Sequence, residues 1–221
     1  MKSGVKVWPR LIRLGTAGAL ALVLASGANA AAYDDFVQAI KNSKPAEVVA
    51  LLKRGMDPNS VDPTGLPVLH LAAREGNLEV VQALVQAGAD IDKRNAFKET
   101  PIMLACITGS TKIVEYLISK EAQINQPGWT PLLYAATNGH NEIVKILLEN
   151  HAYIDSSSPN GSTPLMMAVR GGHISTAQLL LEEGADPTVK NENGESAESW
   201  AVMSKNTELA QLIRTKAQKK R

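Results

Sequence analysis

Cysteine is almost absent, with Cys106 alone among 221 residues. A single thiol excludes an internal disulfide, so stability has to come from packing. Aromatic residues are also scarce, at 4%, which leaves Ala, Leu, Val and Ile to build the core. Those residues suit thin helical layers better than a sandwich or barrel. Neither sign of charge dominates: 23 Lys and Arg face 22 Asp and Glu, for a formal +1. Without a basic stripe there is no support for nucleic-acid binding. A membrane-spanning helix needs roughly 20 consecutive apolar residues; the nearest candidate, Leu14 to Gly27, is shorter and broken by glycines. What is present, 44% hydrophobic and 20% charged residues, is ordinary globular composition for one domain and argues against disorder.

The first thirty residues differ from the rest. Lys2, Lys6, Arg10 and Arg13 form a basic start with no acid among them, and the apolar stretch follows. Ala28-Asn29-Ala30 then matches an A-x-A cleavage site, and polar sequence begins at Tyr33-Asp34-Asp35. The pattern is that of a secretory signal peptide, residues 1–30, cut after Ala30. The expectation is a periplasmic or secreted protein with no stable membrane anchor. Its mature form would hold 19 basic and 22 acidic residues, a net −3.

The remainder repeats. Leu69-His70-Leu71-Ala72, Ile102-Met103-Leu104-Ala105, Leu132-Leu133-Tyr134-Ala135 and Leu165-Met166-Met167-Ala168 recur at steps of 33, 30 and 33 residues. Each block leads to a glycine (Gly76, Gly109, Gly139, Gly172) and then to an apolar helical run such as Val80-Val81-Gln82-Ala83-Leu84-Val85. Gly88-Ala89-Asp90 and Gly184-Ala185-Asp186 close two of the units. Thr100, Thr130 and Thr163 each precede a proline, the pattern of a helix start: the hydroxyl accepts an orphan N–H, and proline has none to lose. Helices of about eight to ten residues are shorter than the roughly 12–15 at which isolated helices become marginal in water. The units must therefore stack to persist.

This repeat resembles the ankyrin repeat, whose unit is about 33 residues with a Thr-Pro-Leu-His-x-Ala helix start, a second helix and a hairpin loop. The resemblance spans about Phe36 to Ile213. It implies an all-α ankyrin-repeat solenoid of stacked helix-turn-helix units with β-hairpin loops. The units read as an N-terminal capping repeat at 31–60 and four central repeats at about 61–93, 94–125, 126–155 and 156–190. A C-terminal capping repeat at 191–215 and a basic tail at 216–221 complete the chain. Pro67-Val68 replaces Thr-Pro in the first central unit, so its N-cap should be missing. The third unit is clipped at Asn125-Gln126-Pro127-Gly128. Glu121 and His151 stand where Gly88 and Gly184 stand, which predicts strain if the backbone is left-handed there, and a weak pair between the two side chains.

Nothing points to catalysis. His70 is the motif histidine, expected to brace neighbouring hairpins, while His140 and His173 sit at turns between helices. No close histidine pair or cysteine cluster suggests a metal. Ser156-Ser157-Ser158 lacks a nucleophile elbow, and no phosphate-cradling loop is present. Cys106 falls where sister units carry Ala73, Ala136 and Val169, so it reads as a small buried residue. The expected protein has no enzymatic activity, cofactor or metal.

The resemblance further implies a protein partner held by a groove of hairpin tips and first helices. Matching positions give the candidates Leu66, Arg74, Phe97, Glu99, Ile107, Trp129, Asn138 and Arg170. Leu66, Phe97, Ile107 and Trp129 would form an apolar stripe, although Trp129 also fits a packing role on the next hairpin. The chain is expected to be monomeric and to act as a scaffold. Alternatively it assists or protects an exported enzyme, as exported bacterial members resembling this type accompany peroxide-removing catalases, or it is a secreted effector binding host proteins.

Overall fold

The computed structural model describes residues 31–219; residues 1–30, where a signal peptide is expected, lie outside them. Among the described residues twelve helices run in antiparallel pairs: α1 (31–41), α2 (Pro45–Lys53), α3 (Val68–Glu75), α4 (Leu78–Gln86), α5 (Pro101–Thr108), α6 (Thr111–Ser119), α7 (Pro131–Asn138), α8 (Asn141–Glu149), α9 (Pro164–Arg170), α10 (Ile174–Glu182), α11 (Ala197–Met203) and α12 (Thr207–Lys219). The odd-numbered helices from α3 to α11 stack in one row and the even-numbered from α2 to α12 in a second. The fold is an all-α repeat solenoid. Lys216 and Lys219 continue α12, where positive charge suits the carbonyl end of a helix.

The first helices of the four central units, α3, α5, α7 and α9, bury most of their side chains because each is covered by its partner helix and by both neighbouring units. Ile102 to Cys106 of α5 are all buried, and so are Leu165 to Val169 of α9. The small residues predicted for this row do their work here. Ala73, Cys106, Ala136 and Val169 occupy equivalent positions and are at most 2% exposed, and burial pushes the Cys106 thiol far above its usual range. Second helices are amphipathic, with apolar residues at three- and four-residue spacing facing inward, as Val80, Val81 and Leu84 do in α4.

Helix ends follow the sequence with one exception. Thr130 Oγ1 accepts from Leu133 N at 3.2 Å and Thr163 Oγ1 from Met166 N at 3.4 Å. Pro67 caps nothing with its side chain, as expected. Thr100 departs from the reading: its hydroxyl is buried without a partner, and its N–H points at Met103 Sδ at 3.3 Å. Left-handed backbone follows the second helices at Gly55, Gly88 and Gly184, with φ of 96°, 93° and 97°, and the same geometry holds at Glu121 and His151, with φ of 66° and 67°. The predicted strain is therefore present, but the predicted pair is not. Among the described residues Glu121 and His151 share no ion pair, because each side chain is exposed at a loop where water solvates it.

The loops between units bend as hairpins without extended ladders. Val61 pairs with Pro67, and Lys190 with Ser196, as isolated antiparallel bridges. Side chains lock each loop to the next: Asn59, Asp92, Asn125 and Asp155 accept the backbone N–H of Asp90, Gln123, Tyr153 and Asp186, each at 2.9 Å. This ladder keeps its register through the clipped third unit, so the three missing residues fall after Asn125, at the hairpin tip.

Candidate protein-interaction face

Five hairpin tips project beside the row of first helices, at about residues 61–67, 94–100, 125–130, 157–163 and 190–196. Four are fixed by one short polar side chain at the base. Asp62 Oδ1 accepts from Thr64 N and Leu66 N at 2.8 and 3.0 Å. Asn95 Oδ1 accepts from Phe97 N and Glu99 N, both at 2.9 Å. Ser158 and Asn191 serve the fourth and fifth tips in the same way. Such side-chain turns replace backbone pairing where the chain reverses too sharply for a ladder. The pattern was readable as Asp, Asn, Ser and Asn at equivalent positions, but the repeat comparison centred on the helices and missed it.

The second tip carries the most exposed large apolar side chain among the described residues, Phe97, at 82%. The chain has two phenylalanines; the other, Phe36, is fully buried. Phe97, Leu66 and Arg74 line one groove of about 150 Å³ between the first two tips, with Thr64 and Asn95 at its edge. Arg74 approaches Glu75 at 3.6 Å in an exposed pair, a contact too weak to hold it away from a ligand.

The other sequence candidates sit elsewhere. Glu99 is engaged within the fold: Asn95 Nδ2 donates to Oε2 at 2.8 Å, Tyr134 Oη donates to Oε1 at 2.9 Å, and His70 Nε2–H donates to its carbonyl at 2.9 Å. Burial raises the Tyr134 pKa, and the Glu99 carboxylate adds to the effect. Trp129 stacks on Tyr134 with centroids 4.9 Å apart and planes tilted by 32°. One chain of contacts thus runs from His70 through Glu99 and Tyr134 to Trp129, tying together three consecutive units. Ile107 is half-buried against the core, and its carbonyl accepts from His140 Nε2–H at 3.1 Å. Asn138 donates to the Tyr134 carbonyl at 2.8 Å. Arg170 lies over Trp200 at 5.8 Å, a cation–π contact. The structure therefore brings Leu66, Arg74 and Phe97 together at one groove and leaves Ile107, Trp129, Asn138 and Arg170 outside its lining.

His173 Nε2–H donates to the Thr137 carbonyl at 3.0 Å, repeating what His140 does one unit earlier. A Cβ on Gly109 would stand 2.7 Å from His140 Cε1, and one on Gly139 would run into the His173 ring. These histidines are braces between units. Among the described residues no group of three or more His, Cys, Asp or Glu is placed to hold a metal, and no helix is long and apolar enough to cross a membrane.

A row of helix pairs joined by projecting tips defines a repeat solenoid. The ankyrin repeats family model matches residues 36–127, 69–158 and 150–221 in three copies; the chain belongs to the ankyrin-repeat family. It is 46% identical over 61 residues to mouse (Mus musculus) protein phosphatase 1 regulatory subunit 27, covering 28% of this chain and 40% of that one. Against the probable 26S proteasome regulatory subunit p28 of Saccharomyces cerevisiae it is 33% identical over 111 residues, 47% of this chain and 48% of that one. The Notch-regulated ankyrin repeat-containing protein of Xenopus laevis matches at 36% over 89 residues, 38% of this chain and 78% of that one. The chain spans about two fifths of the mouse relative's length. Ankyrin repeats generally mediate binding to other proteins.

Proposed function

We propose that this chain is a non-enzymatic scaffold, exported from the cytoplasm as a monomer, that holds a partner protein on the face of hairpin tips and first helices. The observation that carries the reading is the Phe97 ring, kept 82% in water on a structured tip beside Leu66 and Arg74. An aromatic anchor with a neighbouring arginine is the usual make-up of an interface hot spot, and solvent exposure gives the fold nothing in return. Export is supported by the basic start, apolar stretch and Ala28-Asn29-Ala30 of residues 1–30, and predicts a mature chain beginning at Ala31 by mass spectrometry.

The decisive test is affinity capture from the exported fraction with tagged wild type and Phe97→Ala. The variant should keep its helical circular dichroism and lose the partner band. Undiminished capture by Phe97→Ala would remove this face from consideration, and detection of only the unprocessed chain would remove export.

A further inference from the structure

The second hairpin departs from its sisters at two adjacent positions. Where the other tips place Gly65, Gly128, Gly161 and Gly194 at φ of 84°, 85°, 79° and 74°, it places Lys98 at φ 63°. A side chain on left-handed backbone is disfavoured. One residue earlier, the equivalents of Thr64, Pro127, Asn160 and Asn193 become Phe97, the exposed ring. Neither a strained lysine nor a solvated phenylalanine helps the isolated chain to fold. Their adjacency points to a compensating contact outside the chain.

Charge says what that contact is. Arg94 and Lys98 flank the tip, are exposed, and have no ion-pair partner among the described residues. The nearby acids are already engaged: Asp62 by Thr64 and Leu66, and Glu99 by Asn95 and Tyr134. Glu75 faces Arg74 alone. The first tip carries Asp62, the third and fourth are uncharged, and the fifth sets Lys190 against Glu192 and Glu195. The second tip, with Arg94 and Lys98 against Glu99, is therefore the only one of the five with net positive charge. A volume of about 150 Å³ is well below the roughly 300–1,000 Å³ of small-molecule sites and has room for one side chain.

We infer that the Leu66–Arg74–Phe97 groove takes an acidic segment of a partner protein, in which one apolar side chain flanked by carboxylates enters between the first two tips. This rests on the protein-binding reading above and names the chemistry it recognises. An anionic lipid surface would share the charge, but a single phenylalanine offers little to insert and a lipid needs no groove.

The test is selection of random displayed peptides on the purified chain, followed by titration of one synthetic winner. Enriched sequences should place Asp or Glu around a Leu, Phe or similar residue. Phe97→Ala should raise the Kd about tenfold or more. Lys98→Gly, which keeps the turn and removes the charge, should raise it about two- to fivefold, with weaker binding at higher salt. A neutral or basic consensus that still depends on Phe97 would overturn the acidic assignment and leave the binding face intact. Winners indifferent to Phe97→Ala would overturn both. No enrichment at all, or sedimentation with phosphatidylglycerol vesicles in place of peptide binding, would overturn the inference while the capture experiment still judges the face.

Discussion

At the scale of single residues, His70 is a titratable group that the fold takes out of water. It is fully buried, and burial holds its pKa below the ordinary value, against the opposing pull of the Glu99 carbonyl and carboxylate. In the unfolded chain the imidazole titrates near its usual value of about 6.5. The unfolded state therefore binds a proton first as pH falls, and stability must drop below that value until the folded-state pKa is also passed. Urea unfolding between pH 7.5 and 5 should show this decline, above the range where carboxylates titrate. His70→Met, which places in this unit the residue that Met103 and Met166 supply in others, should flatten the slope. It should also cost about 1 kcal/mol at pH 7.5 through the lost bond to the Glu99 carbonyl. An unchanged slope would mean that the decline does not come from His70. Residue-scale roles were the least legible in the sequence. Glu99 looked like a free tip carboxylate because the Tyr134 hydroxyl that engages it lies 35 residues away, and Trp129 took its packing role from that same tyrosine. Phe97 was legible, since no residue elsewhere competes for it.

At the scale of elements, the turn after each second helix requires left-handed backbone at one position, and three of the five turns satisfy it with glycine. Glu121 and His151 meet the same demand with a side chain at φ 66° and 67°. Glycine there should stabilise the fold by about 1 kcal/mol at each site, or about 2–4 °C in Tm for a chain of this size. The bond from Asn125 Nδ2 to the His151 carbonyl, at 2.8 Å, uses backbone alone and survives the change. Thermal melts of Glu121→Gly and His151→Gly should both move upward; a fall would show that the side chain contributes more than the backbone loses. The element boundaries were legible because their causes are local: Thr-Pro starts, glycine stops and apolar spacing each act within one turn. The unmade cap at Thr100 was not, because the Met103 N–H donates to the Thr100 carbonyl at 3.1 Å in place of the hydroxyl, and no one-dimensional pattern ranks those two acceptors.

At the scale of the whole molecule, each unit touches only its neighbours, so stability is a chain of unit terms and interface terms. Cooperative unfolding survives only while every interface is strong relative to the units it joins. The joint between the third and fourth central units rests on His173, which donates to the Thr137 carbonyl across it and fills the space beside Gly139. Gly139→Ala would put a Cβ into that ring on backbone at φ 75°, an overpacking cost of about 1–3 kcal/mol concentrated on one interface. Trp129 and Trp200 lie on opposite sides of the joint. In chains beginning at residue 31 they are the two tryptophans, and replacing either with phenylalanine leaves a probe of the other side. The two fluorescence transitions in urea should coincide in the parent chain and separate in the Gly139→Ala background. Coincident transitions in both would mean that coupling runs through the loop bond from Asp186 N–H to Asp155 more than through the histidine brace.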